Sequence, residues 1–484
     1  MGILDVLIAD IGVTIVIVDA VLIIMMMFWE RSDPRSVLVW AVVMLFLPLV
    51  GFVAYLVVGQ TFYTKWSFKS KRVSDAHAVR ALSRQLEAVR REMDADPRFC
   101  ERLRFAGTLT GSGAGAYSNR NRVTLFTDGR EKFDSLFEDL RNAKEHINFE
   151  YYIIRNDELA DELMDILSER AAAGVEVRLM VDAIGSNSPK NRIREFKEAG
   201  GKYTLFHSTL TVLLSPRKNN RNHRKVAVID GKVAYIGGFN VGTEYLGLGP
   251  LGYWRDSAVR IEGDCILHIQ SKFLSDWRYA TREDIVTEER FYRNIGPAPG
   301  GDDGVQMVSG GPDCADLNPI HIQYLNMITK AESTLYIHTP YLSLDPSLID
   351  ALRISAMSGT DVRIMIPDKP DHPFVFWNNR YNADLLMRCG VRVFQYRKGF
   401  VHSKTVVADG RYCSVGSANF DIRSMKLNFE TNAMIYSERV GSMMKEAFET
   451  DLEDCVEYTR EDYAGRTTVE RFRTGVSRMF SGQV

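Results

Sequence analysis

Two stretches decide the reading of this 484-residue chain. The first runs Arg221-Asn222-His223-Arg224-Lys225-Val226-Ala227-Val228-Ile229-Asp230-Gly231, the second Val401-His402-Ser403-Lys404-Thr405-Val406-Val407-Ala408-Asp409-Gly410. Both spell His-x-Lys-x-x-x-x-Asp. Each is followed at the same distance by a small-residue turn and an asparagine, Gly237-Gly238-Phe239-Asn240 and Gly416-Ser417-Ala418-Asn419. The chain has nine histidines, and only His223 and His402 precede a lysine at this spacing. Such a doubled set suits phosphodiester chemistry done without a metal. Histidine supplies a nucleophile and a general acid near neutral pH, while Lys225, Lys404, Asn240 and Asn419 can hold phosphate oxygens.

Both stretches are short β-branched runs that end in Asp-Gly, which predicts a strand entering a tight hairpin. Alternate residues of a strand share a face, so His and Lys two apart project together. A carboxylate must fix the second ring nitrogen of a nucleophilic histidine. The candidates are Asp256, in Tyr253-Trp254-Arg255-Asp256, and Glu430, in Leu427-Asn428-Phe429-Glu430, each expected to complete its own half. Asp230 and Asp409 close the motif and are counted with it, although their place before a turn glycine points to a structural task.

These residues resemble the phospholipase D superfamily, whose signature is the doubled motif. Within it the match narrows to the bacterial cardiolipin synthases. It rests on Arg221 to Lys225, on Gly237-Gly238-Phe239-Asn240-Val241-Gly242-Thr243-Glu244-Tyr245, and on Asp421-Ile422-Arg423-Ser424 leading to Asn428-Phe429-Glu430. The resemblance implies two α/β/α halves about a pseudo-two-fold axis, with one active site between both motifs. It also implies transfer of a phosphatidyl group between two phosphatidylglycerols, giving cardiolipin and glycerol. His223 would form the phosphatidyl-histidine and His402 would serve as acid, then base. Needing one histidine neutral and one protonated, the rate should be bell-shaped in pH. A phospholipase D, another phosphatidyltransferase such as one making phosphatidylserine, and a membrane-bound nuclease share the motifs and are the alternatives.

A net charge of −2 argues against a nucleic-acid partner. The six cysteines are scattered, without metal-ligand spacing, so neither metal nor cofactor is expected. Ile11–Trp29 and Ser36–Val58 are nearly all apolar and flank the polar loop Glu30-Arg31-Ser32-Asp33-Pro34-Arg35. About 20 apolar residues cross a bilayer, so residues 1–60 read as a transmembrane hairpin with Asp19 facing the partner helix or snorkelling. Lys65, Lys69, Lys71 and Arg72 follow it, which places the catalytic part in the cytoplasm of a plasma-membrane protein.

Residues 61–105 carry an apolar stripe (Val79, Leu82, Leu86, Val89, Met93) that predicts an amphipathic linker helix. An internal repeat follows. Ala143–Tyr152 corresponds to Ala331–Pro340, and Gly174–Val181 to Gly359–Ile366, each pair bracketing a helix. Near-continuous apolar strands alternating with helices predict a mixed α/β fold whose sheet is covered on both faces. The break Gly296-Pro297-Ala298-Pro299-Gly300 divides a first domain, 106–298, from a second, 299–484. Phe374, Phe376, Trp377, Tyr381 and Phe400 are candidates for an acyl groove. Nothing in the sequence sets an oligomeric state.

Overall fold

The computed structural model describes residues 3–29, 34–58, 100–186, 190–206, 220–314 and 317–479. The first half contributes β1 (Ser118–Phe126), β2 (His146–Tyr151), β3 (Glu176–Val181), β4 (Lys202–Leu205), β5 (Lys225–Ile229), β6 (Val233–Gly237), β7 (Tyr253–Arg255) and β8 (Ala258–Gly263). The second half contributes β9 (Asp303–Gly310), β10 (Thr334–His338), β11 (Leu342–Ser343), β12 (Asp361–Pro367), β13 (Arg392–Tyr396), β14 (Gly399–Val401), β15 (Thr405–Ala408), β16 (Tyr412–Gly416), β17 (Phe420–Asp421), β18 (Glu430–Tyr436) and β19 (Cys455–Tyr458).

Fifteen of these strands form one mixed sheet in the order β19-β13-β12-β10-β15-β16-β18-β9-β1-β8-β6-β5-β2-β3-β4. The two halves meet where β1 pairs antiparallel with β9. Read outward from that seam, β8-β6-β5-β2-β3-β4 on one side repeats β18-β16-β15-β10-β12-β13 on the other. The repeat seen in the sequence is thus a repeat of strand order, with β19 added at one edge. Within each half β2–β3 and β10–β12 are parallel, as strand–helix–strand units require.

The strands are buried on both faces, and their alternation shows it. Ala227 and Ile229 join the core of the first half, whereas Val226 and Val228 face a core shared with Val407, Val415 and Ile435 of the second. β6 packs against β16 and β18, so the two halves face each other across this shared core. Helices cover the outer faces. Asp128, Asp157, Asp345 and Ser437 cap four of them, accepting from the first free backbone N–H groups.

The expected hairpins form. Asp230 and Gly231 have φ of 54° and 65°, and Asp409 and Gly410 have 55° and 63°. Two consecutive left-handed residues match the twist of the flanking strands, which is why Asp-Gly stands there.

At the N-terminus α1 (Ile3–Trp29) packs on α2 (Pro34–Phe46) and α3 (Val50–Val58) around Met26, Met44 and Tyr55. The second apolar run is therefore two helices, not the single span expected. Proline at position 48 ends α2, and Leu49 takes φ of 61°. The Leu49 N–H, freed by the break, donates to buried Asp19 Oδ1 at 3.4 Å. Asp19 faces the partner arm as expected. Among the described residues no helix is long and apolar enough to cross a membrane. The linker stripe and the basic cluster lie outside the described residues; only the last of residues 61–105 appear, opening α4 (Cys100–Gly111).

Candidate active site

His223 stands two residues before Lys225, the first residue of β5, and its segment is tied by backbone to the other half. The His223 N–H donates to the Phe429 carbonyl at 2.9 Å, and the Phe429 N–H to the Arg221 carbonyl at 2.8 Å. The second motif mirrors this. β14 runs parallel to β7 with Val401 opposite Arg255, and the His402 N–H donates to the Arg255 carbonyl at 2.8 Å. Each histidine is thereby laced to the segment that carries the carboxylate of the opposite half.

The side chains follow the backbone. His223 Nδ1 donates to Glu430 Oε1 at 2.9 Å, and His402 Nδ1 donates to Asp256 Oδ2 at 2.6 Å. The structure brings both carboxylates named from the sequence to the histidines, but not within their own halves as expected; the pairing is crossed, because the halves exchange strand contacts at the site. A carboxylate on Nδ1 holds the proton there and leaves the Nε2 lone pair as the reactive one. Glu430 is further held by the Ser417 hydroxyl (2.5 Å), the Ser424 hydroxyl (3.0 Å) and Asn428 Nδ2 (3.2 Å). Asp256 accepts from the Ser257 N–H at 2.7 Å.

Lys225 Nζ donates to the His223 carbonyl at 2.7 Å. Lys404 Nζ donates to the His402 carbonyl and lies 2.9 Å from His402 Nδ1 and 3.8 Å from Asp256 Oδ2. Asn240 and Asn419 are buried beside them, and neither amide oxygen has a hydrogen-bond partner. Asn240 Nδ2 is 3.0 Å from the Tyr245 hydroxyl. Turned over, the same amide would accept from that hydroxyl and leave its NH2 group free to donate.

Burial dominates the electrostatics, since all six charged or titratable site groups are nearly sealed from solvent. It pushes His223 below the usual imidazole range, helped by the neighbouring lysines and opposed by Glu430. It brings His402 down to about 3, with Lys404 adding and Asp256 opposing. Lys225 falls to about 7 and Lys404 to about 8, both chiefly by burial. Burial opposes ionisation of Glu430 and Asp256 too, yet their imidazole and lysine neighbours hold both below the ordinary carboxylate range. Near pH 7 this is a pair of neutral imidazoles, two carboxylates and two lysines close to losing their charge. An entering phosphodiester anion would favour the charged form of each lysine and of an imidazole.

Asp230 and Asp409 do not join the site. Asp230 accepts from the backbone N–H groups of Lys144 (2.8 Å), Glu145 (2.7 Å) and His146 (2.9 Å). Asp409 does the same for Glu332 (2.9 Å), Ser333 (2.8 Å) and Thr334 (2.9 Å). They tie the hairpin turns to the entry of β2 and β10, at the far end of strands that rise about 3.3 Å per residue.

Three groups escaped the sequence reading. The Tyr245 hydroxyl lies 3.2 Å from His402 Nδ1. Ser424 occupies the matching position in the second half, five residues after the asparagine, and serves Glu430 instead. Buried Arg224 pairs with Asp276 at 2.6 Å and donates to Thr431 Oγ1 at 3.0 Å and Ser309 Oγ at 2.9 Å, tying β5 to β18 and β9. Its signal was available: a charge at the entry of a strand buried on both faces must have a partner. Of the proposed groove aromatics, Phe400 is wholly buried with its ring 4.7 Å from that of Trp254. The other four lie together on the helix Pro373–Met387.

Comparison with known proteins shows what the chain is similar to. The family signature "Cardiolipin synthase, PLD-like domain" matches residues 136–277 and 324–452, one stretch in each half. A second, "phospholipase D-nuclease N-terminal", matches residues 13–60. The chain is 41% identical over 462 residues to a cardiolipin synthase of Staphylococcus aureus, covering 94% of this chain and 92% of the relative. It is 40% identical over 486 residues to the cardiolipin synthase of Oceanobacillus iheyensis, covering 99% of each. The crystal structure of phosphatidylserine synthase from Haemophilus influenzae superposes with a TM-score of 0.59 at 13% identity, over 79% of this chain and all of that one, a likeness of fold.

Proposed function

The chain belongs to the bacterial cardiolipin synthases of the phospholipase D superfamily, which makes it a phosphatidyltransferase acting on phospholipid, and we propose how its residues carry the transfer. His223 Nε2 attacks the phosphorus of one phosphatidylglycerol. The bond from phosphorus to the glycerol oxygen breaks, and His402 Nε2 gives that oxygen its proton. Glycerol leaves. A second phosphatidylglycerol brings its free hydroxyl to the same place, His402 takes the proton back, and the new phosphorus–oxygen bond displaces His223. Cardiolipin is the product. His223 is the nucleophile by family resemblance. Lys225, Lys404, Asn240 and Asn419 hold the non-bridging oxygens, whose charge in turn favours the imidazolium that His402 must present.

The observation that carries this reading is the crossed pair of Nδ1–carboxylate bonds, His223 to Glu430 and His402 to Asp256. It equips two Nε2 atoms for one phosphorus. Thin-layer analysis of products from pure phosphatidylglycerol tests it. Cardiolipin plus glycerol is expected from the wild type and neither from His223→Ala or His402→Ala. Phosphatidic acid as the main product would make the protein a phospholipase instead.

We propose further that 106–298 and 299–484 are the two domains, and that α1–α3 anchor them to the cell membrane with the catalytic halves in the cytoplasm. The outward residues of these helices are large and apolar, among them Val16, Phe28, Leu38 and Phe46. An anchor keeps enzyme and lipid alcohol concentrated together.

A further inference from the structure

The helix Thr468–Met479 is built the wrong way round for a helix that merely covers a domain. It turns small polar residues to the protein: Thr474 and Ser477 are buried, and the Ser477 hydroxyl donates to the Phe374 carbonyl. Val469 and Phe472, spaced three apart on the opposite side, are exposed at 58% and 72%. Residues three or four apart share a helix face, so half-buried Val476 extends the same stripe. Arginines flank it, Arg473 on one side and Arg471 and Arg478 on the other. Arg471 donates to the Arg466 carbonyl at 3.2 Å and the Ala464 carbonyl at 2.9 Å, so fixed cations stand around an exposed apolar stripe. An interface between water and anionic lipid satisfies both at once.

Its position gives the arrangement a purpose. The helix packs on Pro373–Met387, where Arg473 lies 5.9 Å from the ring of Trp377 and Arg478 4.9 Å from that of Tyr381. Asn379 of Pro373–Met387 accepts from the Leu342 N–H at 2.7 Å, and β11, which begins at Leu342, pairs with β17, the strand that directly follows Asn419. Phe374, 43% exposed, is in the first turn of Pro373–Met387. The apolar stripe and Phe374 therefore belong to the helix pair that braces the strand next to Asn419.

We propose that Thr468–Met479 is an in-plane docking helix: it lays Val469 and Phe472 into an anionic phospholipid bilayer and seats the mouth of the site on the surface that supplies the substrate. The proposal rests on the reading that phosphatidylglycerol is that substrate. It adds a second membrane contact, independent of α1–α3, that sets orientation rather than residence.

The test uses the full chain. Val469→Asp/Phe472→Asp is compared with wild type on vesicles of phosphatidylglycerol in phosphatidylcholine, and on short-chain phosphatidylglycerol below its micelle concentration. On vesicles the surface concentration of lipid giving half the maximal rate should rise at least about tenfold, with the maximal rate little changed. On the dispersed substrate both constants should stay within about twofold, because the two side chains touch nothing in the site. Equal performance on vesicles overturns the proposal. So does equal loss in both assays together with a fall from dimer to monomer, which would make the stripe a contact between copies. Independently of activity, Phe472→Trp in vesicles of brominated phosphatidylglycerol should show quenching beyond that of the six native tryptophans. Quenching without cardiolipin formation would retain the docking helix and sink the substrate reading; no added quenching would sink the helix.

Discussion

His223 Nδ1 lies 2.9 Å from Glu430 Oε1, a carboxylate 207 residues further along the chain and in the opposite half of the sheet. The reciprocal bond joins His402 to Asp256, 146 residues earlier, at 2.6 Å. Neither motif histidine finds its carboxylate within its own half, so the site exists only when the halves are docked. The two pairs also differ in what surrounds them, which allows their roles to be separated.

Leaving-group chemistry separates them. Glu430→Gln should lower cardiolipin formation about 10³–10⁴-fold, the loss typical when a histidine loses the carboxylate that fixes its tautomer. Asp256→Asn should cost a similar factor with phosphatidylglycerol. With a nitrophenyl phosphatidyl ester, whose leaving group needs no proton, Asp256→Asn and His402→Ala should recover most of the first-step burst, while Glu430→Gln and His223→Ala should not. Burst measurements showing the reverse would exchange the two histidines' roles.

The lysines should set the alkaline limb of the pH profile. Lys225 at about 7 and Lys404 at about 8 lose their charge as pH rises through that range, and with it their hold on phosphate. kcat/KM, which reports the free enzyme, should fall above pH 7–8. The limb of kcat should lie at higher pH, because bound phosphodiester favours the charged lysines. His402, at about 3, is neutral throughout, so the protonated acid expected of the free enzyme must arise with substrate. Lys225→Arg, which removes the lower of the two, should move the kcat/KM limb upward toward that of Lys404 even if its rate is low. Coincident limbs for the two constants would refute this account.

Tyr245→Phe removes a hydroxyl that lies 3.2 Å from His402 Nδ1 and 3.0 Å from Asn240 Nδ2. Loss of about one hydrogen bond's worth of positioning predicts a fall in kcat of about tenfold. Stability, read by thermal unfolding, should change little, since the ring stays packed. A variant as active as wild type would leave Tyr245 with a packing role alone.

Asp230→Ala should destabilise the fold by about 1–3 kcal/mol, because three backbone N–H groups lose their acceptor and a left-handed turn loses a residue that tolerates it. The folded fraction should keep its specific activity. Calorimetry alongside the product assay would expose an error here: a stable but inactive Asp230→Ala would return this residue to the catalytic set.

Deleting residues 1–60 should leave turnover in detergent micelles and slow it on bilayers. The hairpin of α1–α3 holds none of the eight residues gathered at the site. A truncated protein that is folded by circular dichroism yet inactive in micelles would show that the N-terminal helices help to build the site.

Much of this protein was legible in the sequence because it is local. Asp-Gly at positions 230–231 and 409–410 announces a left-handed two-residue turn through backbone sterics alone. The β-branched runs beside them can only be strands, and their repetition announces two similar halves. Residue chemistry named His223, His402, the lysines, the asparagines and both carboxylates. What the sequence could not decide is which carboxylate serves which histidine. That depends on Asn222 pairing with Phe429 and Val401 with Arg255, contacts between segments far apart in the chain that exist only once two faces of a shared core have closed. The same closure turns Tyr245 toward His402, demands a partner for Arg224, and carries Asp230 and Asp409 away from the chemistry. Spacing along a chain records what one strand or turn will do; the partners of a buried charge are chosen by packing.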